Sequence, residues 1–232
     1  MVKQATIAQI QRSVDWGLVG LIVVEVGLAI AYLVGIARTG TPYAAVDFNG
    51  KQTLPSLLQA VQLGLLGLIP LGLFLFHRIP TLPPSRSLLL VTAVLFLYAA
   101  VDEVLKIHLM LGHRLWQILY PTLGTAVLIW FRRDLMRLWR FERRSLLFVA
   151  IGMGIFVLGG FGTELLKSFV IRPLLSQFLN QHGTIALWLE SSRIAIEEFS
   201  ELLGESLTLY GVCGLAMARL MKAPSLYQTP EG

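Results

Sequence analysis

The chain has 232 residues, 55% of them hydrophobic and 14% charged, with a mean hydropathy of +0.70. Soluble domains carry about 25% charged residues, so this composition excludes an ordinary soluble enzyme or binding module and points to an integral membrane protein. The net charge of +5 and the pI near 9.6 do not call for a nucleic-acid partner, because the basic residues are placed where membrane topology puts them.

Reading the apolar runs in order gives an all-α fold: a polytopic transmembrane helical bundle of about six spanning helices forming one membrane domain over 1–232. The start, with Ile7, Ile10 and Val14 at helical spacing among polar residues, reads as a short amphipathic lead-in at the interface. It lacks the pattern of a removable signal peptide. The first span covers 17–36 and is interrupted by Glu25. A loop rich in Gly, Pro and Asn separates it from the second span, 56–76, which holds Gln59 and Gln62 on one face and Pro70 as an expected kink. The third span, 87–111, contains Asp102, Glu103, Lys106 and His108. A fourth, 115–131, ends at the arginine-rich segment 132–144, read as a divider before the fifth span, 145–170. The sixth helix, 184–221, is long and begins acidic. Cys213 stands alone in an apolar run, so neither an intramolecular disulfide nor a cysteine metal cluster can form.

Basic residues set the orientation. With the amino terminus inside, Lys3, Arg12, Arg78, Arg86, the six arginines of 132–144, Arg219 and Lys222 fall on the cytoplasmic side, against only Arg38, Lys51, Arg114 and Arg172 outside. Both termini are therefore expected in the cytoplasm, in a bacterial inner membrane or an equivalent one. The arginine segment reads as a topology determinant that touches anionic lipids. The oligomeric state is left open.

Acidic residues are distributed the other way. Of fourteen, nine lie in or beside predicted spans: Glu25, Asp102, Glu103, Glu164, Glu190, Glu197, Glu198, Glu201 and Glu205. Lys106, Lys167 and Arg193 are the embedded basic residues, too few to pair with all of them. On one helix at 100° per residue, the five glutamates of the sixth share an arc of about 100°. An ionised side chain at the bilayer centre costs at least about 2.5 kcal/mol and usually faces a bundle interior or a wet cavity. Cations, protons or basic partners must compensate these acids.

Asp102, Glu103, Glu164, Glu197, Glu198, Glu201 and Glu205, at matched depth, are thus the candidate ligands of a divalent metal ion. His108 joins them only if its helix is distorted, since it lies about 140° around from Glu103. Glu25, deeper in the membrane, is the candidate relay. Several pairings compete with that role: Asp102 with Lys106, Glu164 with Lys167, and Glu190 with Arg193. The glycines of 152–162 and Gly204, Gly211 and Gly214 read as sites of close helix packing.

Such carboxylates are hard ligands suited to Ca²⁺, Mg²⁺, Mn²⁺ or iron and, with an imidazole, Zn²⁺. The leading expectation is a cavity open to the outer side that binds a cation for cation or proton-coupled translocation. A carboxylate-metal membrane enzyme acting on a lipid-soluble substrate is the alternative. No Glu-x-x-His, HExxH, GxSxG or nucleotide loop is present to support it. A membrane scaffold or assembly factor, its acids paired with a partner's basic residues, is the third reading.

Overall fold

A computed structural model describes residues 2–76, 82–110, 113–167 and 183–222. All strand-forming or helical order among them is helical: α1 (Val2–Thr39), a short 3₁₀ turn (Ala44–Val46), α2 (Leu54–Phe76), α3 (Arg86–Leu105), α4 (Ile107–Met110), α5 (His113–Trp130), α6 (Arg132–Phe141), α7 (Arg143–Leu166) and α8 (Gly183–Lys222). Four stretches are long and apolar enough to cross a membrane: Gln9–Thr39, Leu54–Phe76, Arg86–Leu105 and Arg143–Gly160. Ile118–Trp130 is a shorter apolar helix. The acidic first half of α8 keeps it out of that group, although its 40 residues extend about 60 Å.

Three boundaries differ from expectation. The lead-in and the first span form one continuous helix, α1. The third span stops at Leu105, where Lys106 takes up a left-handed conformation, φ 51° and ψ 45°, before α4 begins. The arginine segment is itself a helix, α6, because Leu135 and Leu138 recur at helical spacing and Leu138 finds a buried position. After α6 the backbone leaves helical geometry at Glu142, φ −152° and ψ 79°.

Two compact units are present: residues 1–59 with 151–207, and residues 60–150 with 208–232. In the first, Tyr32, Ile36, Phe48, Ile194, Ala195 and Leu202 form the apolar core. The loop after α1 folds back to reach it. Gly40, at φ +76°, ends the helix by donating from its N–H to the Ile36 carbonyl. An Asx turn at Asp47 then swings Phe48 onto the Tyr32 ring, centroids 5.1 Å apart. Within the second unit, Gly67 lies against the Leu97 backbone, Phe148 meets Tyr210 edge-on at 4.7 Å, and Ala93 and Leu66 are buried.

Glycine allows α7 and α8 to approach backbone to backbone in both units. In the first, a Cβ on Gly204 would lie 2.6 Å from the Gly152 carbonyl oxygen and 2.7 Å from the Phe156 nitrogen. In the second, one on Gly211 would lie 2.6 Å from the Ser145 carbonyl oxygen. Small residues at such crossings replace the hydrophobic drive that lipid cannot supply. Gly204→Val is therefore expected to destabilise the protein by about 1–3 kcal/mol in detergent thermal unfolding. Gly154→Ala, where nothing lies within 4 Å, is expected to stay within about 1 kcal/mol of wild type.

Candidate functional site

Polarity is inverted around Glu25. Its neighbour Val23 is 64% exposed and Val24 and Val26 are exposed as well, whereas Glu25 is 0% exposed. The valines form a face suited to lipid, and helical geometry turns the carboxylate to the inside. There Glu25 Oε1 accepts a hydrogen bond from the buried Ser206 hydroxyl, 2.6 Å away on α8.

One residue before Ser206 stands Glu205, 3% exposed, and one turn earlier Glu201. Both are held by Gln59. Pro55 sits in the first turn of α2, where its missing N–H costs nothing, and Gln59 follows in the second turn. Gln59 Nε2 donates to Glu201 Oε2 at 3.0 Å and to Glu205 Oε1 at 3.2 Å. An amide nitrogen carries two protons, one for each carboxylate. Across α7, Gly160 leaves room for Glu201: a Cβ there would lie 2.2 Å from Glu201 Oε1. The outcome is a network of the buried Glu25, Ser206, Glu205 and Gln59 with the half-buried Glu201, in which the named donors are an amide and a hydroxyl.

Further towards the start of α8 the acids meet positive charge. The Arg193 guanidinium forks onto Glu190, Nη2 to Oε1 at 2.9 Å and Nε to Oε2 at 3.1 Å, and its Nη1 donates to Glu197. Lys167 Nζ lies 3.5 Å from Glu190 Oε1. The expected Glu190–Arg193 pair is present and is extended by Glu197 and Lys167. Glu198 is half-buried on the same helix.

Asp102 and Glu103 belong to the second unit, and both are buried. Lys106 pairs with Glu103 at the point where its own left-handed backbone leaves the register of α3. Asp102 Oδ2 accepts from the Tyr120 hydroxyl at 3.0 Å, and Tyr120 stands edge-on to Tyr98 with the two hydroxyls 3.5 Å apart. The side chains of His108 and Glu164 fall outside the described residues. Among those described, no group of three or more His, Cys, Asp or Glu is arranged to hold a metal ion.

A family model described as a domain of unknown function (DUF8692) matches residues 16–215. The chain belongs to that family. The matched stretch includes Glu25, Gln59, Asp102, Glu201 and Glu205 and leaves out the first fifteen residues and the end of α8. No curated protein and no solved structure matches the chain.

Tyr120, Tyr98 and the hydroxyl role of Ser206 are the participants that sequence patterning does not single out. A tyrosine on an apolar helix carries no spacing signal. The adjacency of Ser206 to Glu205 was its only cue.

Gln59→Ala removes the donor shared by the buried Glu205 and the half-buried Glu201, and a loss of about 1–3 kcal/mol in thermal unfolding is expected. Glu205→Gln in the same chain should recover part of it, and the coupling of the two changes in a double-mutant cycle is the measurement that checks the bridge.

Proposed function

We propose that this protein is a six-span membrane protein of a bacterial inner membrane or an equivalent one, with both termini cytoplasmic. In this reading the Glu25–Glu201–Glu205 network binds a cation, for cation or proton-coupled translocation. The observation that carries the proposal is the Gln59 bridge: two carboxylates one helical turn apart share a single neutral amide. An amide N–H donates to a carboxylate and equally to the carbonyl oxygen of a protonated acid, so this bridge holds the pair in position in either protonation state.

Glu25 supports translocation over static binding. It is fully buried and tied to Ser206, the residue after Glu205, so a charge leaving Glu205 has a second carboxylate beside it in the same network. By contrast, Glu190 and Glu197 are occupied by Arg193, which suits them to a structural role at the start of α8. The six-span orientation is supported by the basic residues: Arg132, Arg133, Arg137 and Arg140 of α6 are exposed, and positive charge near spans is favoured on the cytoplasmic side.

Reconstituted into vesicles, the protein is expected to show cation uptake or a cation-dependent proton flux. Glu201→Gln and Glu205→Gln should each lower it by at least about tenfold. Gly160→Ala should lower it too, with little loss of stability, because the atom it displaces is the flexible end of Glu201. Glu142→Gln, at the break between α6 and α7, should leave it unchanged. Equal fluxes from all four variants would end the proposal.

A further inference from the structure

The second unit carries a charged surface that the acidic network does not use. Helix α6 presents Arg133, Arg137 and Arg140 at i, i+4 and i+7, within an arc of about 60°, and all three are exposed. Like charges at this spacing repel, so the stripe is an unfavourable arrangement unless an anion lies along it. The acidic residue of the helix itself offers no relief. Asp134 projects about 60° beyond the nearest stripe residue, Arg137, and accepts a hydrogen bond from the Ser85 hydroxyl just before α3. Among the described residues, the ion pairs Lys106–Glu103, Lys167–Glu190, Arg193–Glu190 and Arg193–Glu197 lie on other helices.

The helix is fixed in place by its opposite face. Leu138 is buried, Asp134 is tied to Ser85, and the Lys222 ammonium at the end of α8 donates to the Phe141 carbonyl at 3.0 Å while lying over the Phe141 ring at 4.0 Å. Arg143 stacks over Trp139, 5.0 Å from the ring centroid. Exposed apolar groups border the arginines: Trp130, 83% exposed, Met136 and Trp139. Tryptophans of this kind belong at the level of lipid headgroups, and guanidinium groups match phosphate oxygens in a forked geometry.

We propose that the Arg133–Arg137–Arg140 stripe of α6 is a binding site for the headgroup phosphate of an anionic membrane lipid, with the acyl chains running beside Met136 and Trp139. The site is independent of the acidic network and of its function.

The test uses the purified full chain, stripped of lipid in neutral detergent and titrated with short-chain phosphatidylglycerol or phosphatidylcholine. Native mass spectrometry counts bound lipid and thermal unfolding reports its effect. Wild type is expected to retain phosphatidylglycerol in preference to phosphatidylcholine. R133Q/R137Q/R140Q is expected to lose affinity for phosphatidylglycerol by on the order of a hundredfold, several-fold for each basic residue near an anionic surface. R12Q/R38Q/K51Q, which removes three exposed positive charges outside this unit, is expected to bind as wild type. If the triple variant does not fold, R137Q alone is expected to weaken binding about fivefold. Unchanged affinity in the stripe variants, an equal loss in the control, or equal stabilisation by inorganic phosphate would each overturn the proposal.

Discussion

The structure depends on the cost of holding a carboxylate away from water. A buried acid must satisfy its oxygens inside the protein or be neutralised, and in the first unit this requirement decides which helix faces meet. Glu25 is buried where Ser206 donates to it, and that directional bond constrains the rotation of α1 about its own axis. Gln59 does the same for the start of α2. The apolar core around Tyr32, Phe48 and Leu202 adds burial, but apolar side chains alone would tolerate several rotations of an evenly hydrophobic helix such as α1. Directional bonds select one.

Along α8 the protein solves the same problem in two ways. At Glu190 and Glu197 the acids meet a guanidinium, and a forked ion pair holds its charge in fixed geometry. At Glu201 and Glu205 they meet an amide. An amide N–H serves as donor to an ionised carboxylate and equally to the carbonyl oxygen of a protonated one. The first arrangement fixes a charge pair and the second serves either protonation state, and the boundary between them falls within about one turn of helix.

Much of this was open to inspection in the chain itself. The concentration of acids on one face of α8, the glycines of α7 and α8, and Gln59 as a polar residue inside an apolar run all follow from spacing and from the rarity of such side chains in lipid. Other features depend on the conformation of single residues. Lys106 pairs with Glu103 at a left-handed turn of its own backbone, and a lysine at that position gives no warning of the turn. Tyr120 reaches Asp102 from another helix, a relation between distant positions that periodicity along one helix does not contain. The arginines of 132–144 marked a boundary by composition, and that signal hid the weaker repeat of Leu135 and Leu138 which makes the segment helical. The eight candidate metal ligands divide between the two units, Asp102, Glu103 and His108 in one and Glu164, Glu197, Glu198, Glu201 and Glu205 in the other.

The backbone contact at Gly204 has a mechanical consequence. With the Gly152 carbonyl and the Phe156 amide pressed against it, α8 cannot roll against α7 in the first unit without prising the two apart. Glu201 and Glu205 therefore sit on a rigid anvil. The Gln59 amide, which touches both, comes from α2, little more than a turn beyond the loop that Phe48 pins to Tyr32. The bridge thus joins a fixed helix pair to the start of α2, just beyond the short connection from α1.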